Sequence, residues 1–142
     1  MPDAYWEAAL ETMPREQLLR WQEEHLRQHL AYVYEKSPYY RRAFETAGIT
    51  PAEITNLEAF AAAVPCLTKM QIIEDQREHP PFGQLLAVEP TELIRIYWSP
   101  GPELIVFTPH DYAYGLDLAA KAFYSCGAHP QAIVNVNCTY PW

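Results

Sequence analysis

The sequence predicts an α/β protein: a helical N-terminal region over residues 1–79, then the beginning of an α/β sheet domain over residues 80–142. Three observations carry this expectation. Apolar residues recur at helical spacing through the first half, between proline and hydroxyl start signals. A turn-rich break, His79-Pro80-Pro81-Phe82-Gly83, ends that pattern. Beyond it two strand-like runs, a helix and a further strand-like run follow in order, the arrangement of one α/β unit.

The elements follow from local chemistry. Thr12-Met13-Pro14 opens a helix, because proline suits the first turn, where its missing N–H costs nothing. From there to about Lys36, Leu19, Leu26, Leu30 and Val33 share one side, and Glu23, Glu24, Arg27 and Gln28 lie mostly elsewhere. Ser37-Pro38 starts a second helix, Tyr39 to Ala47, closed by Gly48 as a C-terminal cap. Thr50-Pro51-Ala52-Glu53 has capping-box spacing. Asn56 opens a short helix through Phe60, and Thr68-Lys69-Met70-Gln71 opens another running to about Glu78. Past the break, Leu93 to Trp98 and Glu103 to Phe107 are dense in β-branched and aromatic residues and read as strands. Thr108-Pro109-His110-Asp111 is a further helix start, with Asp111 near the positive end of the helix dipole. Tyr112, Leu116, Ala119 and Phe123 form that helix's apolar face, Gly127 ends it, and Ala132 to Cys138 reads as a third strand. The stop at Tyr140-Pro141-Trp142, directly after a strand, predicts a cut through a sheet domain, since few strands and one helix cannot cover both sheet faces.

Composition narrows the function. A net charge of −8 with Arg41-Arg42 as the sole basic cluster argues against nucleic acid, whose phosphates demand a basic face. No apolar run approaches the roughly 20 residues of a membrane span, and residues 1–11 lack a signal peptide's apolar centre, so a cytoplasmic protein is expected. Cys66, Cys126 and Cys138 are odd in number and widely spaced, and read as reduced, buried thiols, neither a disulfide framework nor a zinc site. An aromatic fraction of 13% suggests well-filled interfaces or an aromatic pocket.

Several segments, taken in order, resemble the phenylacetate–CoA ligase family of adenylate-forming enzymes. Glu11 to Leu18 is similar to its N-terminal helix start. Tyr34-Glu35-Lys36-Ser37-Pro38-Tyr39-Tyr40-Arg41 is similar to its Y-E-x-S-P-F-Y-R segment. Pro65 through Lys69 resembles P-x-T-x-K, and Pro81-Phe82-Gly83 with Ala87-Val88 resembles Y-P-F-G-x-x-A-V. Arg95-Ile96 and Thr108 to Asp111 keep the family's framing of its phosphate loop. The resemblance covers nearly the whole chain. It implies an enzyme that joins an aryl acid to coenzyme A through an acyl-adenylate, using ATP and magnesium, with this chain as its N-terminal portion and the beginning of its ATP-binding sheet domain.

The phosphate loop of that family resembles S-S-G-T-T-G-K-P-T, whose glycines turn backbone N–H groups toward phosphate while hydroxyls and a lysine complete the cradle. Here the same place reads Ser99-Pro100-Gly101-Pro102-Glu103. Pro102 and Thr108 keep the family's spacing of six, so the residues T-T-G-K are absent. A second glycine, two hydroxyls and an ammonium group are thereby missing from the loop. Pro100 removes a backbone donor, and Glu103 adds a negative charge where triphosphate would sit. Ser99, Gly101 and Pro102 are thus what remains of a cofactor-binding loop, expected to hold ATP poorly. The other reading of Ser99 to Pro102 is a tight connection between two strands.

Further candidates are thinner. By resemblance Tyr140 falls near the aryl pocket and is a candidate substrate contact, although an aromatic at a strand end is commonly packing. Tyr97 and Trp98, just before the loop, admit the same two readings. His25 and His29 are four apart on one helix but lack a third ligand, and His110 with Asp111 reads as a helix cap. No catalytic residue and no metal site is assigned. Two functions fit: the N-terminal part of an AMP-forming aryl-CoA ligase, inactive by itself, whose partner is the remainder of the ligase; or a standalone, non-catalytic remnant whose open sheet a partner or second copy covers.

Overall fold

The computed structural model describes residues 4–129 and 131–135. Its elements are α1 (Ala8–Glu11), α2 (Arg15–Lys36), α3 (Pro38–Ala47), a 3-10 turn (Pro51–Glu53), α4 (Leu57–Ala63) and α5 (Lys69–Glu78). A second 3-10 turn (Pro90–Glu92), β1 (Arg95–Trp98), β2 (Leu104–Phe107) and α6 (Pro109–Ser125) follow. The helical region and the sheet-forming segment therefore succeed one another as the sequence predicts.

Most helices begin where their caps dictate. Ser37 accepts from the Tyr40 N–H at the start of α3, Asn56 from Ala59 at α4, and Thr68 and Thr108 close capping boxes with Gln71 and Asp111. Gly48 sits in the left-handed region at φ 66° and ends α3. Thr50 and Glu53 make their capping box around the 3-10 turn and not around an α-helix, and the two hydrogen bonds from Thr50 hold the Glu53 carboxyl below its ordinary range. The helix opened by Asn56 runs on to Ala63, past the expected end at Phe60.

The core lies between α2, α3 and the segment after them. Leu30, Phe44 and Ile54 are buried together, with Leu26, Tyr34, Tyr40, Ile49 and Phe60 packed around them. Tyr34 meets Phe44 edge-to-face at 5.9 Å, the arrangement ring quadrupoles favour. Arg41 reaches back to the Tyr34 and Glu35 carbonyls and so satisfies the free end of α2.

Beyond the break, β1 and β2 pair antiparallel with Trp98 opposite Leu104 and Arg95 opposite Phe107. The sheet is thus a hairpin among the described residues. Residues 132–135 form no strand, and the rest of the expected third strand lies outside the described residues. Among the described residues the apolar side of α6 is not covered: Leu116 and Phe123 are exposed, as are Ile96 and Trp98 on the hairpin. The expectation of buried thiols is corrected at two positions: Cys66, on the connection between α4 and α5, and Cys126, at the end of α6, are both exposed. Cys138 lies outside the described residues.

Bonds across the break at 79–83 tie both halves together. The Ser37 hydroxyl and the Tyr39 N–H both donate to the Gln84 carbonyl, at 3.2 and 3.0 Å. Asp75, buried on α5, accepts from the Gln84 N–H at 2.6 Å, with His79 and Arg42 beside it at 3.4 and 3.9 Å. At the far end, the Trp6 indole donates to Asp117 on α6 at 3.0 Å, and Lys121 pairs with both Glu7 and Asp117.

Candidate functional site

The site begins with how α5 is aimed. The Thr68–Gln71 capping box fixes its first turn, and Lys69 is its first residue. Seven residues on, Gln76 lies on the same side, because seven residues make almost two helical turns. Both side chains reach the β1–β2 hairpin. The Gln76 amide donates to the Leu104 carbonyl and accepts from the Leu104 N–H, each at 2.9 Å. That pairing follows from register. Ser99 N–H donates to the Glu103 carbonyl, so the next opposed pair, Trp98 with Leu104, is of the kind whose backbone groups face outward.

Lys69 takes the turn itself. Its ammonium donates to Ser99 Oγ at 2.8 Å and to the Pro100 carbonyl at 3.2 Å, and lies 2.9 Å from a Glu103 carboxylate oxygen. The last contact is a close ion pair without hydrogen-bond alignment. Glu103 is largely covered there, its side chain 14% exposed against 47% for Lys69. Gly101 stands at φ 122°, a conformation that L side chains avoid, and a Cβ added there would lie 3.2 Å from Lys69 Cε.

Ser99, Gly101 and Pro102 therefore come together in the turn between β1 and β2. The arrangement supplies few donors for an anion. Two of the five residues are prolines without an N–H, and the Ser99 N–H is spent inside the hairpin. Groups converging on Lys69 are acceptors: a hydroxyl, a carbonyl and a carboxylate.

The loop's own residues include no ammonium; the fold returns one from α5. Lys69 stood within the P-x-T-x-K resemblance, yet its separation of about thirty residues from the turn hid the contact. Gln76 carried no signal beyond its helical offset from Lys69. Tyr140 lies outside the described residues. Tyr97 meets Phe107 edge-to-face at 5.5 Å, and both Tyr97 and Trp98 are exposed. His25 bonds the Trp21 carbonyl through Nδ1 at 2.8 Å and stacks on its ring; His29 lies beside Tyr32. Among the described residues no cluster of His, Cys, Asp or Glu could hold a metal ion, and no helix is long and apolar enough to cross a membrane. An open hollow of about 830 Å³ between α2 and the start of α6 has Thr108 and Asp111 in its wall, but these two are engaged with each other in the helix cap.

Comparison with known proteins agrees with this architecture. The chain is 36% identical over 129 residues to a phenylacetate–coenzyme A ligase of Thermus thermophilus, covering 88% of this chain. It is 30% identical over 138 residues to one of Escherichia coli, covering 92%. It spans 28% and 30%, respectively, of the length of those relatives. Among solved structures it is similar to 2-hydroxyisobutyryl-CoA ligase in the postadenylation state in complex with 2-HIB-AMP. The TM-score is 0.86 at 31% identity, covering 92% of this chain and 28% of that one. The same ligase with 2-HIB-AMP and CoA in the thioesterification state matches with a TM-score of 0.84 at 30% identity, covering 92% and 29%. No protein-family model matches the chain.

Proposed function

We propose that this chain, which matches the N-terminal portion of the phenylacetate–CoA ligase family in sequence and fold, serves as that portion of an AMP-forming aryl- or acyl-CoA ligase. The reaction converts an acid, ATP and CoA into acyl-CoA, AMP and pyrophosphate. The observation that carries the reading is extent: 88% to 92% of this chain aligns with ligases of which it spans 28% to 30%. By the same resemblance, the adenine site, the magnesium-binding acid and the mobile lid belong to the portion of the family outside this match. ATP, magnesium and CoA are then ligands of the assembled enzyme, and the chain alone is inactive.

Within that enzyme the residues here act as scaffold. The core of Leu30, Phe44 and Ile54 fixes α2 and α3, Asp75 fixes the turn at 79–84, and α5 holds the hairpin through Gln76 and Lys69. Similar scores against postadenylation and thioesterification states support a part whose fold serves both. The division at residues 79/80 is then a change of role: helices that pack against the large domain, followed by the first elements of its sheet. Exposed Ile96, Trp98, Leu116 and Phe123 supply apolar surface for the remainder of the ligase to cover.

A second reading, a non-catalytic remnant whose partner or second copy covers that surface, draws support from the turn at 99–103, already filled by Lys69. One experiment separates the two. The protein is captured from its native cell, weighed intact, and assayed for acyl-CoA formation from phenylacetate and other acids with ATP, magnesium and CoA. A mass well above 16.4 kDa with acyl-CoA formation is expected. A 16.4 kDa species without that activity in any complex would refute the ligase reading.

A further inference from the structure

We infer that the Ser99–Glu103 turn is a receptor for a cation supplied by the same chain: Glu103 takes in cis the place of an anion on Lys69, and so closes the turn to phosphate. Three observations lead there. Among the described residues every polar contact of the Lys69 ammonium is an oxygen acceptor of the turn, namely Ser99 Oγ, the Pro100 carbonyl and the Glu103 carboxylate. Gly101 performs for the lysine what a glycine performs for a phosphate. Without a Cβ it lets Lys69 Cε and Nζ approach to 3.2 and 3.4 Å of where that atom would stand. The carboxylate is also placed to compete, since its side chain is 14% exposed and a phosphate seeking Lys69 would meet that fixed negative charge.

The ion pair is more than a surface contact in its consequence. Gln76 holds β2 and Lys69 holds the turn, so α5 grips the hairpin at two points through its own side chains. A loop that waits for a nucleotide to order it would need the opposite arrangement, with donors left unspent. The placement of this turn at a ligase phosphate loop rests on the reading above, but the ion pair does not.

The test uses the full chain and inorganic tripolyphosphate, followed by phosphorus NMR at low ionic strength, where charge contacts are least screened. Wild-type chain should leave the signals unshifted. Glu103→Gln, which keeps the side-chain shape and removes the charge, should bind at least about tenfold more tightly, because a like charge so close costs more than 1.4 kcal/mol. Glu103→Gln combined with Lys69→Met should lose that gain. Equal behaviour of wild type and Glu103→Gln, whether both bind or neither does, would overturn the inference. If Glu103→Gln fails to fold, a charge exchange decides. Lys69→Glu alone should speed hydrogen exchange at the Ser99 amide, and Lys69→Glu with Glu103→Lys should restore protection; no restoration would overturn it equally. Tripolyphosphate carries no adenine, acid or CoA, so failure here and failure of the ligase reading are separate results.

Discussion

Replacing Gly83 with alanine should be far more costly than replacing Gly48, although both glycines have left-handed backbones. Gly48 has φ 66°, and a Cβ built there meets nothing within 4 Å. Gly48→Ala therefore carries only the conformational penalty of a left-handed L-residue, about 1–2 kcal/mol. Gly83 has φ 74° and pays the same penalty, but its Cβ would lie 2.3 Å from Asp75 Oδ2. Overlap of that depth must displace the carboxylate. Asp75 would then lose the Gln84 N–H at 2.6 Å, while its side chain is 5% exposed and has little water to turn to. A hydrogen bond to a charged group contributes about 1.5–3 kcal/mol, which brings Gly83→Ala to about 2.5–5 kcal/mol. Urea unfolding followed by far-UV circular dichroism would measure both variants. In an Asp75→Ala background most of the extra cost should vanish, leaving above the Gly48→Ala loss only the close approach to Gln76 Cγ at 3.2 Å. Equal losses for the two variants in the unaltered chain would show that the Asp75 contact contributes nothing.

Gln76→Ala should release both backbone groups of Leu104, lowering stability by about 1–3 kcal/mol and speeding hydrogen exchange at the Leu104 amide; unchanged exchange would refute the clamp. Docking of the N-terminal segment on α6 should depend on acid. Lys121, then the Trp6 indole, hold Asp117 below its ordinary value, so its contribution is present above about pH 4 and is lost as pH falls through the lowered pKa. Lys121 is held above its ordinary range by Glu7 and Asp117, so its contribution persists to at least about pH 10; an indole N–H resonance of Trp6 indifferent to acid would contradict the role given to Asp117. The isolated chain should bind a hydrophobic dye and associate with itself through Ile96, Trp98, Leu116 and Phe123. Glutamates at Trp98 and Phe123 should suppress both, and an unchanged dye signal would place the exposed surface elsewhere.

What the sequence disclosed was local. Ser37, Asn56, Thr68 and Thr108 each name a helix start because a cap is satisfied by residues no more than three positions away. Gly48 and the break at 79–83 are equally local, and the resemblance segments sat on them. The candidate site was legible only by half. Ser99, Gly101 and Pro102 could be placed in a turn from their own chemistry, but Lys69 lies thirty residues before Ser99 and its capture depends on how α5 crosses the hairpin. Helical faces were legible as patterns but not as burial: Leu116 and Phe123 repeat as an apolar side should, yet among the described residues both are exposed. The same blindness explains the thiols, since an apolar neighbourhood in sequence does not say whether another element covers it.

Those long-range contacts also decide why the hairpin stands at all. A two-stranded ribbon is marginal in water by itself. Here β1 is exposed along its length and β2 only partly covered, so burial contributes little. The ribbon has instead a substitute third strand. Gln76 presents an amide to Leu104 as a neighbouring peptide would, and Lys69 closes the turn where strand pairing ends. An outward-facing backbone pair that would otherwise invite another strand is thereby occupied, which limits edge-to-edge association at that end. The surface left open is a side-chain face, carried by Ile96 and Trp98 and continued by α6. A covering element should accordingly dock on side chains there and not extend the sheet past Leu104, and freeing that edge by Gln76→Ala should add a mode of association that glutamates at Trp98 and Phe123 cannot suppress.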